Sequence, residues 1–424
     1  MMKCLLVILV ALIGWISATQ VSYDGYQVLT LKVDDPVKLD ALVQWEEQGI
    51  DFWDNINSVG HPVRVMMPPR LIDEFPAFLR DNEISYELTI PNVETVFAYE
   101  RKVQNERRAY AMMGNFASRV AGNFTYYWQT PEISEYLNTL VSEYPDMVTL
   151  EEAGRSYEDR EIMVLRISST GFDGTKPIIF IDAGIHAREW IAPMSAIYLI
   201  EQLVENSAEN LDLLACDWII IPLVNPDGYQ YTHDTERLWR KTRSVNPGSS
   251  CRGVDANRNY RYRWGWGTGI STNPCSNTFL GQEPHQEKEV QAVASELAKN
   301  ADGVRLYLSF HSCGNWLLYP WGYDRILHDN NDELDLVGNL VASDIFAGHG
   351  VQYTVGNSAI LLYPAAGASD DYAAAEHNIN LSYTVELTCG GANGFDLPAD
   401  QILSVATGIF TGVKAYARYV AENN

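Results

Sequence analysis

The sequence predicts two folded modules in tandem: a small ferredoxin-like α+β sandwich, then a larger α/β domain built on a mixed sheet. Three observations carry this expectation. Patterns in the first hundred residues follow the order strand, helix, strand, strand, helix, strand. From Tyr126 onward, short apolar runs alternate with longer stretches of helical spacing. Between the two lies a charged stretch, Glu100 to Arg119, with little periodicity.

The elements can be justified in order. Met1 to Ala18 has an early lysine, an apolar run from Cys4 to Ile16 and then small residues. That is the pattern of a secretory signal peptide over 1–18, too short to span a membrane. Tyr26 to Val33 alternates as a strand. Pro36 to Glu47 has helical spacing, with proline suited to the first turn. Ile50 to Ile56 and Val63 to Met67 read as strands, Pro69 to Leu79 as a helix disturbed by Pro76, and Ile84 to Ile90 as a last strand. In the second module Glu132 to Tyr144, Ala192 to Glu205, Gln286 to Lys299, Leu334 to Phe346 and Asp400 to Val420 read as helices. Glu161 to Ile167, Ile178 to Ile181, Trp218 to Leu223, Leu306 to Phe310 and Leu381 to Glu386 read as strands.

Composition limits the function. The chain has 424 residues, 46% hydrophobic content and a formal charge of -25. The first two allow a large core. The charge argues against nucleic-acid binding and attracts cationic substrates. Outside the signal no run reads as a membrane span. The expected home is secreted and extracellular, where disulfides form. Without Cys4, five cysteines remain, so at least one lacks a partner within the chain.

Chemistry-bearing residues cluster around Pro177 to Trp190, an apolar strand followed by His186 and Glu189. A spacing of three lets both side chains reach one ion. A catalytic zinc then needs one more protein ligand, expected from a His on a neighbouring strand end, and His311 is the candidate. Alone, His-x-x-Glu also fits a capped helix with a surface carboxylate. The strand Leu381 to Leu387 carries Glu386 on the same side as Thr384. An unpaired carboxylate in a core strand costs about 3–5 kcal/mol, so it needs a function such as proton transfer. A cationic group follows, Arg237 to Arg243 and Asp255 to Tyr260, in which an arginine beside an amide suits capture of a carboxylate. Taken singly, these could be surface arginines on loops.

In order, His-Ala-Arg-Glu-Trp, Asn-Pro-Asp-Gly-Tyr, Arg-Leu-Trp-Arg-Lys-Thr-Arg, Asn-Arg-Asn-Tyr, His-Ser and Val-Glu-Leu closely resemble the zinc metallocarboxypeptidases of the pancreatic A/B group. The resemblance covers nearly everything after the signal. It implies an eight-stranded mixed sheet flanked by helices, with an inhibitory ferredoxin-like pro-domain at 19–100, an activation linker at 101–119 and a catalytic domain at 120–424. It implies one zinc per chain on His186, Glu189 and His311, the ligand set already established for carboxypeptidase A. It also implies Glu386 as general base, Arg240 as oxyanion stabiliser, Asn257 and Arg258 as the pair that holds the substrate's terminal carboxylate, Tyr363 as a closing group and Arg188 in an outer subsite. The substrates would be C-termini of peptides and proteins. A trypsin-like protease would activate the chain after Arg108 or Arg119, and a monomer is expected.

Cys251 and Cys275 pair in the family. Here Cys313 and Cys389 replace a customary Tyr and a frequent Asp at neighbouring strand ends, so they are expected to pair as well, leaving Cys216 buried and free. Asp370 falls where carboxypeptidase A is apolar and carboxypeptidase B acidic, which implies preference for C-terminal Arg or Lys; Gly322 and Ser358 leave depth for a long side chain. Three alternatives stay open: preference for aromatic or aliphatic ends, a non-catalytic binding relative, and a regulatory peptide-processing carboxypeptidase. The intact ligand set argues against the second. The third branch adds a small β domain, for which no room follows the last helix.

Overall fold

The computed structural model describes residues 20–53, 62–113, 122–390 and 394–423. The proposed signal, 1–18, and Arg119 lie outside them. In the N-terminal module β1 (Gln27–Lys32), β2 (Asp51–Phe52), β3 (Pro62–Met67) and β4 (Ser85–Ile90) form an antiparallel sheet in the order β2-β3-β1-β4. Helices Pro36–Glu47 and Glu74–Asp81 cover it through Leu39, Leu42, Phe75 and Leu79. This is the sandwich expected. The helix placed at Pro69 instead begins at Glu74, after a single tight turn at Pro69–Leu71.

The stretch read as a linker with little periodicity is helical as far as Ala111. Helix Val93–Ala111 starts where the Asn92 side chain accepts the Glu94 N–H. Its apolar contacts come mainly from Val93 and Phe97, and its remaining face is charged. Charged and long polar residues form helix well without an apolar stripe, so periodicity could not reveal it.

The second module is a mixed sheet of eight strands: β5 (Val148–Arg155), β6 (Glu161–Ile167), β7 (Ile178–Ala183), β8 (Asp217–Ile221), β9 (Val304–Ser312), β10 (Trp316–Tyr319), β11 (Thr354–Asn357) and β12 (Leu381–Leu387). Their order is β11-β10-β12-β9-β7-β8-β6-β5. The central β8, β7, β9 and β12 run parallel. Alternate side chains sort onto two faces. Ile179, Ile181, Leu306, Leu308, Tyr383 and Val385 pack under helices Ile191–Val204, Asn331–His349 and Ile402–Asn423. Phe180, Ile219 and Tyr307 pack under Lys288–Asn300 and Ser369–His377.

Parallel strands deliver their carboxyl ends to one edge of the sheet, where sites form in such folds. The register sets Glu386 opposite His311 on the paired strands β12 and β9. The two modules meet over this edge. Tyr23, Trp53 and Phe97 of the first pack with Leu238 and Phe395 of the second.

Candidate active site

His186 and Glu189 sit in the turn that leaves β7. Gly184 opens it with φ +70°, and a side chain there would meet Pro193 and Leu223 at under 3 Å. Only glycine takes this corner without strain. His311, at the end of β9, brings its Nδ1 to 3.1 Å from His186 Nδ1 and 3.1 Å from Glu189 Oε2. Glu189 Oε1 lies 2.9 Å from His186 Nδ1. The outer nitrogens are committed. His186 Nε2 donates to Asp255 Oδ1 at 3.0 Å, since a carboxylate only accepts. His311 Nε2 donates to Ser309 Oγ, whose hydroxyl goes to Asp182. Two ring lone pairs and a carboxylate therefore face one another in a buried space, with all ligand atoms within 4.8 Å. Such a trio is repulsive unless a cation sits among it. Two nitrogens, one oxygen and an open position suit zinc. The same demand appears in protonation. Burial works against a charge on His311, yet Glu189 holds it up at about 9. Burial likewise opposes the Glu189 carboxylate, but His186 and His311 keep it well below the ordinary range.

Glu386 points its Oε2 into the same space without a hydrogen-bond partner. Burial pushes it up to about 7, against the pull of His311. Arg240 pairs with Asp255 through Nε and Nη2 at 3.1 and 2.9 Å, and its Nη1 lies 3.6 Å from Glu189. Arg258 is buried and donates to the Tyr363 hydroxyl at 2.8 Å. Asn257 accepts the Ser369 N–H, which leaves its NH2 group to donate to a ligand. The arginines that could have been surface loop residues are thus inside the fold. Asp255 was not singled out by the sequence reading, although it joins His186, Arg240 and the Asn257 N–H. Its place two residues before Asn257, capping the turn Ala256–Arg258, was the available signal.

Residues 133–412 match the zinc carboxypeptidase family, and residues 29–100 match the carboxypeptidase activation peptide. The chain belongs to the zinc carboxypeptidase family. It is 41% identical over 303 residues to carboxypeptidase B of Astacus astacus, covering 71% of this chain and 99% of that one. It is 35% identical to zinc carboxypeptidase A 1 of Drosophila melanogaster over 99% of this chain and 97% of the other. Among solved structures it resembles the carboxypeptidase A of Helicoverpa armigera with a TM-score of 0.88 and 32% identity, covering 95% and 98% of the two chains. The chain is therefore a metallocarboxypeptidase zymogen with zinc as its cofactor. Among its described residues no helix is long and apolar enough to cross a membrane.

In this zinc carboxypeptidase the ligand set, Glu386 and the arginines line one cleft of about 960 Å³. Asp370 lies buried in its wall, which Gly322 and Ser358 also line. Asp371 turns away and accepts the N–H groups of Gly322 and Tyr323 at 2.7 and 2.9 Å. Burial raises both acids, and Asp370 raises Asp371 further. The N-terminal module enters the cleft at its outer end. Asp51 accepts from Arg188 at 2.8 Å, and Glu100 takes Arg237 through both oxygens. Disulfides join Cys251 to Cys275 and Cys313 to Cys389, and Cys216 is buried and free.

Removing the Asp255 carboxylate should free His186 to rotate. Asp255→Ala is expected to weaken zinc binding by roughly 10- to 100-fold, measured by competition with a chelator. Unchanged affinity would show that the ligand set needs no such support.

Proposed function

We propose that the chain is the secreted zymogen of a carboxypeptidase that removes C-terminal arginine and lysine. Relatives bearing both the A and the B name are similar to it, so the preference rests on Asp370. This carboxylate is buried in the wall of the cleft, which the small residues Gly322 and Ser358 also line. A substrate cation pairs with it; an apolar side chain leaves it buried and unpaired.

Each residue then has a task. Asn257 and Arg258 hold the terminal carboxylate, which an internal peptide bond lacks. Tyr363, already hydrogen-bonded to Arg258, closes over that group. Zinc, when bound by His186, Glu189 and His311, supplies a Lewis acid for the scissile carbonyl and the attacking water. Glu386, poised near neutrality, takes the proton from that water and passes it to the leaving amine. Arg240, locked in place by Asp255, donates to the developing oxyanion. Glu386→Gln should keep the fold and zinc content but lower kcat by roughly 10²–10⁴-fold. Near-normal turnover in the metal-loaded variant would remove Glu386 from the mechanism.

Activation is proposed to follow trypsin-like cleavage between the modules. Arg108 is held in its helix by Glu132, and Arg107 donates to the Thr125 carbonyl. A protease needs a locally open chain, which disfavours Arg108, and cleavage after Arg119 leaves less unpatterned chain before Tyr126. Treated with trypsin, the secreted protein should gain activity, and the active form should begin at Val120. Full activity without cleavage, or a start before Arg101, contradicts this.

The preference itself is tested by exchange. An unpaired buried charge costs about 2–5 kcal/mol, so arginine ends should be favoured over phenylalanine ends by roughly 30-fold or more in kcat/KM. Asp370→Ile should reverse the order while zinc binding stays intact. Faster release of Phe than of Arg by the unmodified enzyme refutes the basic preference and leaves the carboxypeptidase activity standing.

A further inference from the structure

The bridge between Cys313 and Cys389 lies in the wall of the active-site cleft. It follows His311 by two residues and Glu386 by three. Strands β9 and β12 stop pairing at Ser312 and Leu387, and the bridge joins them just beyond. From Cys389 the chain runs on toward Phe395, whose ring lies 4.2 Å from the Arg188 guanidinium. A disulfide, an aromatic ring and a guanidinium thus share one wall.

The zymogen shows what this wall can hold. Arg64 of the N-terminal module places Nη2 3.4 Å from Cys389 Sγ and 3.7 Å from Cys313 Sγ. Trp53 meets Phe395 edge to face at 6.0 Å, and Asp51 pairs with Arg188. Asn257 and Arg258 mark the end of the cleft that takes the terminal carboxylate. The N-terminal module meets Arg188, Phe395 and the bridge, whereas Asn257 and Arg258 bond within the second module, so the wall that the departing module uncovers is assigned to the part of the substrate upstream of the scissile bond.

We propose that the Cys313–Cys389 bridge is a specificity-determining element: with Phe395 and Arg188 it forms an upstream subsite for aromatic side chains. Its chemistry fits that class. The sulfurs offer a polarisable surface without a charge or a strong hydrogen-bonding group, and sulfur–aromatic contacts are favourable. Phe395 adds ring stacking. Arg188, released from Asp51, gains a π-face partner. The crosslink also ties the ends of β9 and β12 together, so this part of the wall is preformed. The inference concerns the carboxypeptidase activity and does not depend on which terminal residue Asp370 selects.

The test uses the activated protein and two hexapeptides with the same C-terminal residue. They differ only at the second and third residues upstream of the scissile bond, Trp-Trp in one and Gly-Gly in the other. The wild type should favour the Trp peptide by roughly tenfold in kcat/KM, about 1.4 kcal/mol. In C313A/C389A that ratio should fall to within about twofold of unity, with the change in KM rather than kcat. No preference in the wild type, or a preference that survives in the variant, overturns the assignment. An equal fall for both peptides also overturns it, because the bridge then acts on the catalytic residues. Should the variant fail to fold, a phosphine reductant applied to the folded enzyme replaces it. The same treatment of C251A/C275A, which retains the cleft bridge, must give the same loss of preference; a loss in the wild type alone assigns the effect to Cys251–Cys275 and refutes the proposal.

Discussion

One buried carboxylate holds the site together. Asp255 gives Oδ1 to His186 Nε2 and the Asn257 N–H, and Oδ2 to Arg240. Burial alone would push this acid up, but Arg240, His186 and Arg258 keep it well below the ordinary range. It is therefore a fixed negative charge between a zinc-ligand histidine and two arginines. Without it, His186 loses its tautomer, Arg240 loses its anchor and the turn that presents Asn257 loses its cap. Leaving the largely buried Arg240 guanidinium without this partner would cost several kcal/mol. One side chain thus anchors a histidine, an arginine and a turn.

The sheet does the remaining alignment. Because β9 and β12 run parallel, the opposition of Glu386 and His311 follows from backbone hydrogen bonds and not from side-chain choice. This is also why so much was legible in the sequence. The central strands are short runs of Ile, Val, Leu and aromatic residues, apolar on both faces, and they read clearly. The edges did not. β5 carries Glu151 and Glu152 and bulges between Glu152 and Gly154, while β11 is only Thr354 to Asn357. Edge strands face water and need no apolar alternation, so periodicity passes over them. Helix Val93–Ala111 escaped for the related reason that its outer face is charged.

The site divides the same way. His186, Glu189, His311 and Glu386 announce themselves because ligand and base residues are unusual beside apolar strands. Asp255 does not, because its role depends on partners 69 and 15 residues away. Burial of the arginines was equally hidden. Arg237 looks like a surface cation in a basic run, yet it touches Trp190 at 3.6 Å, Glu100 and two backbone carbonyls.

That arrangement bears on how the zymogen stays closed. The cleft is lined with guanidinium groups, and the N-terminal module sets Asp51 on Arg188 there and Glu100 on the buried Arg237. The module thus answers the positive charge of the second module with carboxylates. Its contacts include an apolar cluster around Tyr23, Trp53 and Phe97, two ion pairs, and hydrogen bonds made by Tyr23, Glu46, Asp51 and Arg64. A tether keeps such a module at an effective concentration on the order of millimolar, so even a modest affinity holds it in place. Cutting the tether removes that advantage without touching one contact. Release then depends on dilution and on substrate competing for Arg188 and the adjoining wall. The module's contacts need only be weak enough to lose that competition once the tether is cut.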